Sequence, residues 1–136
     1  MIRRARTTDL NWMAEKSLPK FNKIFPEPKK LRELKTIIKS CLNSTLVADD
    51  CSAFIQWFFQ TDKNGKKCLV FFNCFSEIVG NGPKLYRRVL EKTKSDSIAA
   101  YIHNNEKKLI QCLLKREGFS QNKLDDTYTL VWKERD

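Results

Sequence analysis

A chain of 136 residues, 41% hydrophobic and 31% charged, has room for one domain (1–136) with one core and is too apolar to remain disordered. The basic start Met1-Ile2-Arg3-Arg4-Ala5-Arg6 leads into Thr7-Thr8-Asp9 rather than an apolar stretch. Export and membrane insertion are therefore not indicated, and a cytoplasmic location is expected, the host's cytoplasm for a phage or virus chain. The net charge of +10 predicts attraction to polyanions such as nucleic acid, nucleotide phosphates or an acidic protein surface, although Lys and Arg are scattered along the chain.

Ile2 to Ala5 reads as the first strand, followed by Thr7, Thr8 and Asp9 as helix-capping side chains ahead of Leu10, Trp12 and Met13. Pro19, Pro26 and Pro28 are expected to break the stretch after that first helix. Lys29 to Leu42 places Leu31, Leu34, Ile37, Ile38, Cys41 and Leu42 at spacings of three and four, which predicts one buried helical face ending at Asn43-Ser44. Thr45 to Ala48 is a short strand running into an Asp49-Asp50 turn. Ser52 to Gln60 and Lys67 to Phe75 are β-prone runs around Asn64-Gly65, a pairing that predicts a hairpin with a type I′ turn. The aromatic run Trp57-Phe58-Phe59 belongs to core and sheet face.

Gly80-Asn81-Gly82-Pro83 opens a helix through Leu85, Val89 and Leu90. Ser97 to Ile102 is a further strand. A last helix carries Leu109, Ile110, Leu113 and Leu114 to Gly118, a well-placed C-terminal glycine, and Tyr128 to Lys133 is the final strand. Cys41, Cys51, Cys68, Cys74 and Cys112 are odd in number and lack a C-x-x-C pair, and His103 is the one histidine. Reduced thiols packed as small apolar groups are expected, with no disulfide framework and no metal site.

The chemically informative segment is Glu77-Ile78-Val79-Gly80-Asn81-Gly82-Pro83-Lys84-Leu85, where a strand gives way to a helix. Glycines let backbone N–H groups approach phosphate oxygens, and the following helix points its positive end at them. With the element order, and with the opening Met1 to Leu10, the run Thr45 to Ile55 and the ending Leu113 to Phe119, this segment resembles the GCN5-related N-acetyltransferase (GNAT) superfamily. Its pyrophosphate pattern is Q/R-x-x-G-x-G/A-x-x-L, and the first position departs from it: Glu77 stands where the family has Gln or Arg.

The resemblance implies an α/β fold with a mixed, mostly antiparallel sheet of about six strands flanked by about four helices. It implies an acyl-coenzyme A-dependent N-acyltransferase, with acetyl-coenzyme A as cosubstrate, no metal, and an amine acceptor that attacks directly. The cofactor would lie between the fourth and fifth strands, with Phe72 and Cys74 near the thioester and Val79, Gly80, Asn81, Gly82, Lys84 and Leu85 around the phosphates. Leu114 occupies the position of the family's proton-donating tyrosine and cannot donate a proton. The Asn that begins the family's last helix fails to align, with Asn104 and Asn105 nearby. Glu77 and His103 are then the candidate bases, and Tyr101 or Tyr86 the candidate proton donor. The second reading is a non-catalytic relative, of phage or viral type, that keeps the scaffold to bind an anionic partner such as nucleic acid.

Overall fold

Local preferences are met over most of the chain in the computed structural model, which describes residues 1–24, 29–78 and 80–135. Its strands are β1 (Ile2–Arg4), β2 (Thr45–Ala48), β3 (Ala53–Thr61), β4 (Lys67–Ser76), β5 (Ser97–His103), β6 (Ser120–Lys123) and β7 (Tyr128–Glu134). The α-helices among the described residues are α1 (Leu10–Ile24), α2 (Leu31–Ser40), α3 (Asn81–Lys92) and α4 (Lys107–Arg116). The strands form one seven-stranded sheet in the order β1-β2-β3-β4-β5-β7-β6. Only β4 and β5 are a parallel pair among the registers described; β1 with β2, β2 with β3, β5 with β7 and β6 with β7 are antiparallel. This is the mixed, mostly antiparallel sheet with four helices that the sequence implied, with one strand more.

The additional strand is β6. Its residues Ser-Gln-Asn-Lys are all exposed and none is a strong strand former. Main-chain pairing to β7, from Ser120↔Trp132 to Lys123↔Thr129, creates it, so β propensity is overridden by a neighbour's open edge.

Contacts divide the chain into two compact units, Met1–Trp57 with Asn73–Thr93, and Phe58–Phe72 with Lys94–Asp136. The first unit is built on Met13, Ala14, Leu34, Ile38, Val47, Phe54 and Phe75, with Trp12, Phe21 and Leu31 packed against them. Phe54 anchors it, edge-on to Trp12 at 6.1 Å and stacked on Phe75 at 5.9 Å between ring centroids. Gln56, fully buried, is tolerated because all its polar atoms are engaged: Nε2 donates to Ile38 O (2.8 Å) and Thr45 Oγ1 (2.9 Å), and Oε1 accepts from Asn73 Nδ2 (3.0 Å).

Two expectations for this unit are corrected. Pro19 does not break the first helix; it lies inside α1. Its missing N–H removes one helical bond, but Met13, Ala14 and Ser17 bury the helix face, and tertiary packing outweighs the local penalty. Pro26 and Pro28 lie outside the described residues. Helix α2 is shorter than the periodicity suggested, because Glu33 Oε1 caps the Lys30 N–H (2.9 Å) and Leu42–Ser44 tightens into a 3₁₀ turn.

In the second unit the core is Leu69, Val70, Phe71, Ile98, Ala99, Ile102, Ile110, Phe119 and Val131. The β3–β4 turn is not type I′. Asn64 keeps negative φ, Gly65 N–H donates to Asp62 O (3.0 Å), and Gly65 takes the left-handed conformation at φ 79°. Asp62 decides this, since its Oδ1 accepts both Asn64 N–H (2.8 Å) and Lys66 N–H (2.9 Å), stabilising a longer turn closed by a glycine bulge. In α4 only Ile110 is buried, and Leu109 is 42% exposed. Gly118 at φ 73° ends the chain's turn out of α4 as expected, letting Phe119 N–H reach Leu113 O (3.2 Å). None of the five thiols is fully buried, and Cys74 and Cys112 are exposed, so they are not the packed apolar groups that composition suggested.

Candidate functional site

The glycine segment sits where the sequence put it, between the end of β4 and the start of α3. Gly80 is the residue before the helix, at φ 96° and ψ −20°, a conformation that disfavours any side chain. Among the described residues, a Cβ built there meets no atom within 4 Å, and one on Gly82 meets only Ser76 Cβ at 4.0 Å. The described side chains of the bend therefore leave it open.

Several bonds hold it. Ser76 Oγ donates to Ile78 O (2.7 Å), Glu77 N–H to Ser52 O (2.8 Å), and Asn81 Nδ2 to Ser52 Oγ (3.0 Å). Ser52 is oriented in turn by Asp50, whose Oδ1 accepts both its N–H and its hydroxyl. Those bonds hold the carboxyl of the exposed Asp50 below the usual carboxylate range, the Ser52 hydroxyl contributing most. Asn81 N–H is committed to Ile78 O (3.2 Å) and Pro83 has none. In the first turn of α3, Gly82 thus carries the one amide not engaged among the described residues. Lys84 is exposed beside it, Leu85 is fully buried as the helix anchor, and Val79 lies outside the described residues.

Glu77 is 46% exposed at its side chain, and its Oε1 lies 3.3 Å from Lys16 Nζ of α1. Lys16 also donates to Cys51 O (2.7 Å). Cys51, at φ 61°, is the one non-glycine residue with positive φ among those described. Nothing local in the sequence announces Lys16 or Ser52 as neighbours of this bend, since both contacts are long-range.

The remaining candidates lie along β4 and β5. The β4–β5 ladder runs from Cys68↔Ser97 to Phe71↔Ala100, and Phe72 begins the part of β4 beyond it. Phe72 is half-buried against Phe58, at 5.6 Å between centroids, and Cys74 is exposed. Two further candidates lie on β5. Tyr101 is 41% exposed, while His103 is the buried last residue of the strand. His103 Nδ1 accepts Asn105 N–H (3.1 Å), which puts the proton of the neutral ring on Nε2, and the ring lies edge-on to Tyr128 at 5.8 Å. Leu114 is half-buried on α4. The structure thus gathers Glu77 and the glycine bend in one unit and Tyr101 and His103 in the other. No cluster of His, Cys, Asp and Glu that could hold a metal occurs among the described residues.

No family model matches the sequence, and no curated protein does. Solved structures do. A GNAT-family acetyltransferase from Streptococcus agalactiae matches all of this chain and 95% of its own, with TM-score 0.74 and 14% identity. A ribosomal-protein-alanine N-acetyltransferase from Brucella melitensis matches with TM-score 0.70 over 99% of this chain and 98% of its own, at 14% identity. Arabidopsis thaliana NAA60, solved with acetyl-CoA, matches with TM-score 0.64 over 98% and 97%, at 11% identity. The chain has the GCN5-related N-acetyltransferase fold. At these identities it is a divergent example of the GNAT fold, and the likeness is one of architecture. No helix among the described residues is long and apolar enough to cross a membrane.

Proposed function

We propose that this GNAT-fold chain is an acyl-coenzyme A-dependent N-acyltransferase that moves an acetyl or similar acyl group to an amine by direct attack. The observation that carries the reading is the open bend at Gly80 and Gly82, at the β4-to-α3 junction of a GNAT fold, where added side chains would meet almost nothing among the described residues. A diphosphate fits such a bend, because the Gly82 amide, the positive end of α3 and the exposed Lys84 supply donors and charge without steric cost. Acyl-coenzyme A supplies the thioester; the chain supplies grip and orientation, with main-chain amides of β4 from Phe72 to Cys74 as the groups that would polarise the carbonyl.

Each candidate base already has a partner. Glu77 faces Lys16, and His103 Nδ1 holds Asn105 N–H. The amine is therefore taken to attack in its neutral form, which predicts a kcat/KM that climbs with pH until the acceptor's own pKa is passed. Leu114 has no proton to give. Among the tyrosines Tyr101 alone is exposed, which keeps it as the candidate proton donor.

Isothermal titration with acetyl-coenzyme A tests the reading, with Gly80→Trp and Gly82→Trp as variants checked for folding by circular dichroism. Saturable binding by the wild type and its loss in both variants is the expected result. No binding at high micromolar ligand, or unchanged affinity in folded variants, would overturn it.

A further inference from the structure

Resting on the coenzyme A reading above, we propose that Lys16 is a positioning residue for the cosubstrate: its ammonium cancels the Glu77 charge beside the glycine bend, so that the bend accepts a diphosphate despite carrying an acid.

The pattern at this junction ordinarily starts with a neutral or cationic side chain, and Glu77 reverses that. A carboxylate beside a diphosphate opposes binding, and between partly solvated charges a few ångströms apart the effect is about tenfold in affinity. Lys16 is placed to remove it. Its Nζ lies 3.3 Å from Glu77 Oε1, donates to Cys51 O at 2.7 Å, and stands 5.9 Å from the Trp12 ring centroid. Three contacts from α1, the 49–52 turn and the end of β4 thus fix one ammonium.

The other acids of the 49–52 turn have their own partners: Asp49 binds Arg3, and Asp50 is held by Ser52. Glu77 has Lys16 as its one ion-pair partner among the described residues. The same junction is fastened a second time by Glu77 N–H on Ser52 O, so the Glu77 main chain stays beside the bend whether or not Lys16 is present. With side chains 35% and 46% exposed, the pair adds little to folding, and its effect on binding can be read apart from stability.

The experiment is a double-mutant cycle read by isothermal titration of coenzyme A on the full chain: wild type, Lys16→Met, Glu77→Gln and both together, with melting temperatures alongside. Lys16→Met should weaken affinity about tenfold while melting near the wild type, and Lys16→Arg should keep it. Glu77→Gln should bind at least as tightly as wild type, and the double variant should return close to Glu77→Gln. If Lys16→Met binds normally, or if the double variant keeps the Lys16→Met defect, the positioning role is overturned while the coenzyme A reading stands. If neither wild type nor Glu77→Gln binds coenzyme A, the reading beneath it is overturned and this inference falls with it.

Discussion

Replacing Asp9 by Asn should be the most damaging isosteric change in the first unit. Asp9 is 3% exposed and accepts four hydrogen bonds: Arg3 Nη1 and Nη2 (both 2.8 Å), Arg6 N–H (2.7 Å) and Trp12 Nε1 (2.8 Å). It ties the strand β1 to the start of α1, and the amide of Asn would aim an NH₂ group at two of those donors. Breaking a buried ion pair from one side costs about 3–5 kcal/mol. Arg3 is 24% exposed and keeps Asp49 (2.7 Å), so the lower end, about 3 kcal/mol, is expected. For 136 residues, an unfolding entropy of about 2.1 cal/mol/K per residue turns that into a fall in Tm of about 10 °C.

Urea unfolding followed by tryptophan fluorescence measures it, since Trp12 is one of the donors. The pH dependence gives a second readout. The Arg3 guanidinium, opposed by desolvation and helped by Trp12 and Arg6, holds the Asp9 carboxyl well below the usual carboxylate range. Its contribution is fully present above the ordinary carboxylate value of about 4 and is lost as pH falls toward the lower folded-state value. Asp9→Asn should therefore flatten the acid limb of the stability curve, whereas Asp49→Asn, at an acid 53% exposed, should cost under about 1 kcal/mol. A loss at Asp9 no larger than at Asp49, or an acid limb unchanged in Asp9→Asn, would refute the reasoning.

Pro19→Ala restores a backbone donor inside α1 and should stabilise the chain by about 1–3 kcal/mol; a destabilised variant in thermal unfolding would mean that the packing needs the proline's local geometry. Gln56→Leu removes the bonds to Ile38 O, Thr45 Oγ1 and Asn73 Nδ2; Cys41 still serves the first two, so the cost should be about 1–2 kcal/mol in urea titration, and a neutral outcome would show that the polar network is dispensable. Tyr101→Phe, at an exposed β5 position, should lower kcat of acetyl transfer about tenfold to a hundredfold or more with acetyl-coenzyme A affinity unchanged. An unaltered kcat would remove Tyr101 as the proton donor.

Features that depend on near neighbours along the chain are legible in the order of the residues. The three-and-four spacing of Leu31, Leu34 and Ile38 makes one apolar helix face regardless of what covers it, and Leu34 and Ile38 are indeed buried. Thr45–Ala48 is strand because its run is apolar and β-branched, and Gly80 bends the chain because glycine alone enters positive φ cheaply. Only the tertiary structure decided the rest. Pro19 stays helical because distant groups bury its helix face, and Ser120–Lys123 is strand because β7 offers an unpaired edge. Tyr101 faces outward and His103 inward because burial depends on what packs over each position, which two-residue alternation cannot reveal. The Lys16–Glu77 pair has the same origin: Coulomb attraction acts through space, and the chain must fold before those two charges become neighbours.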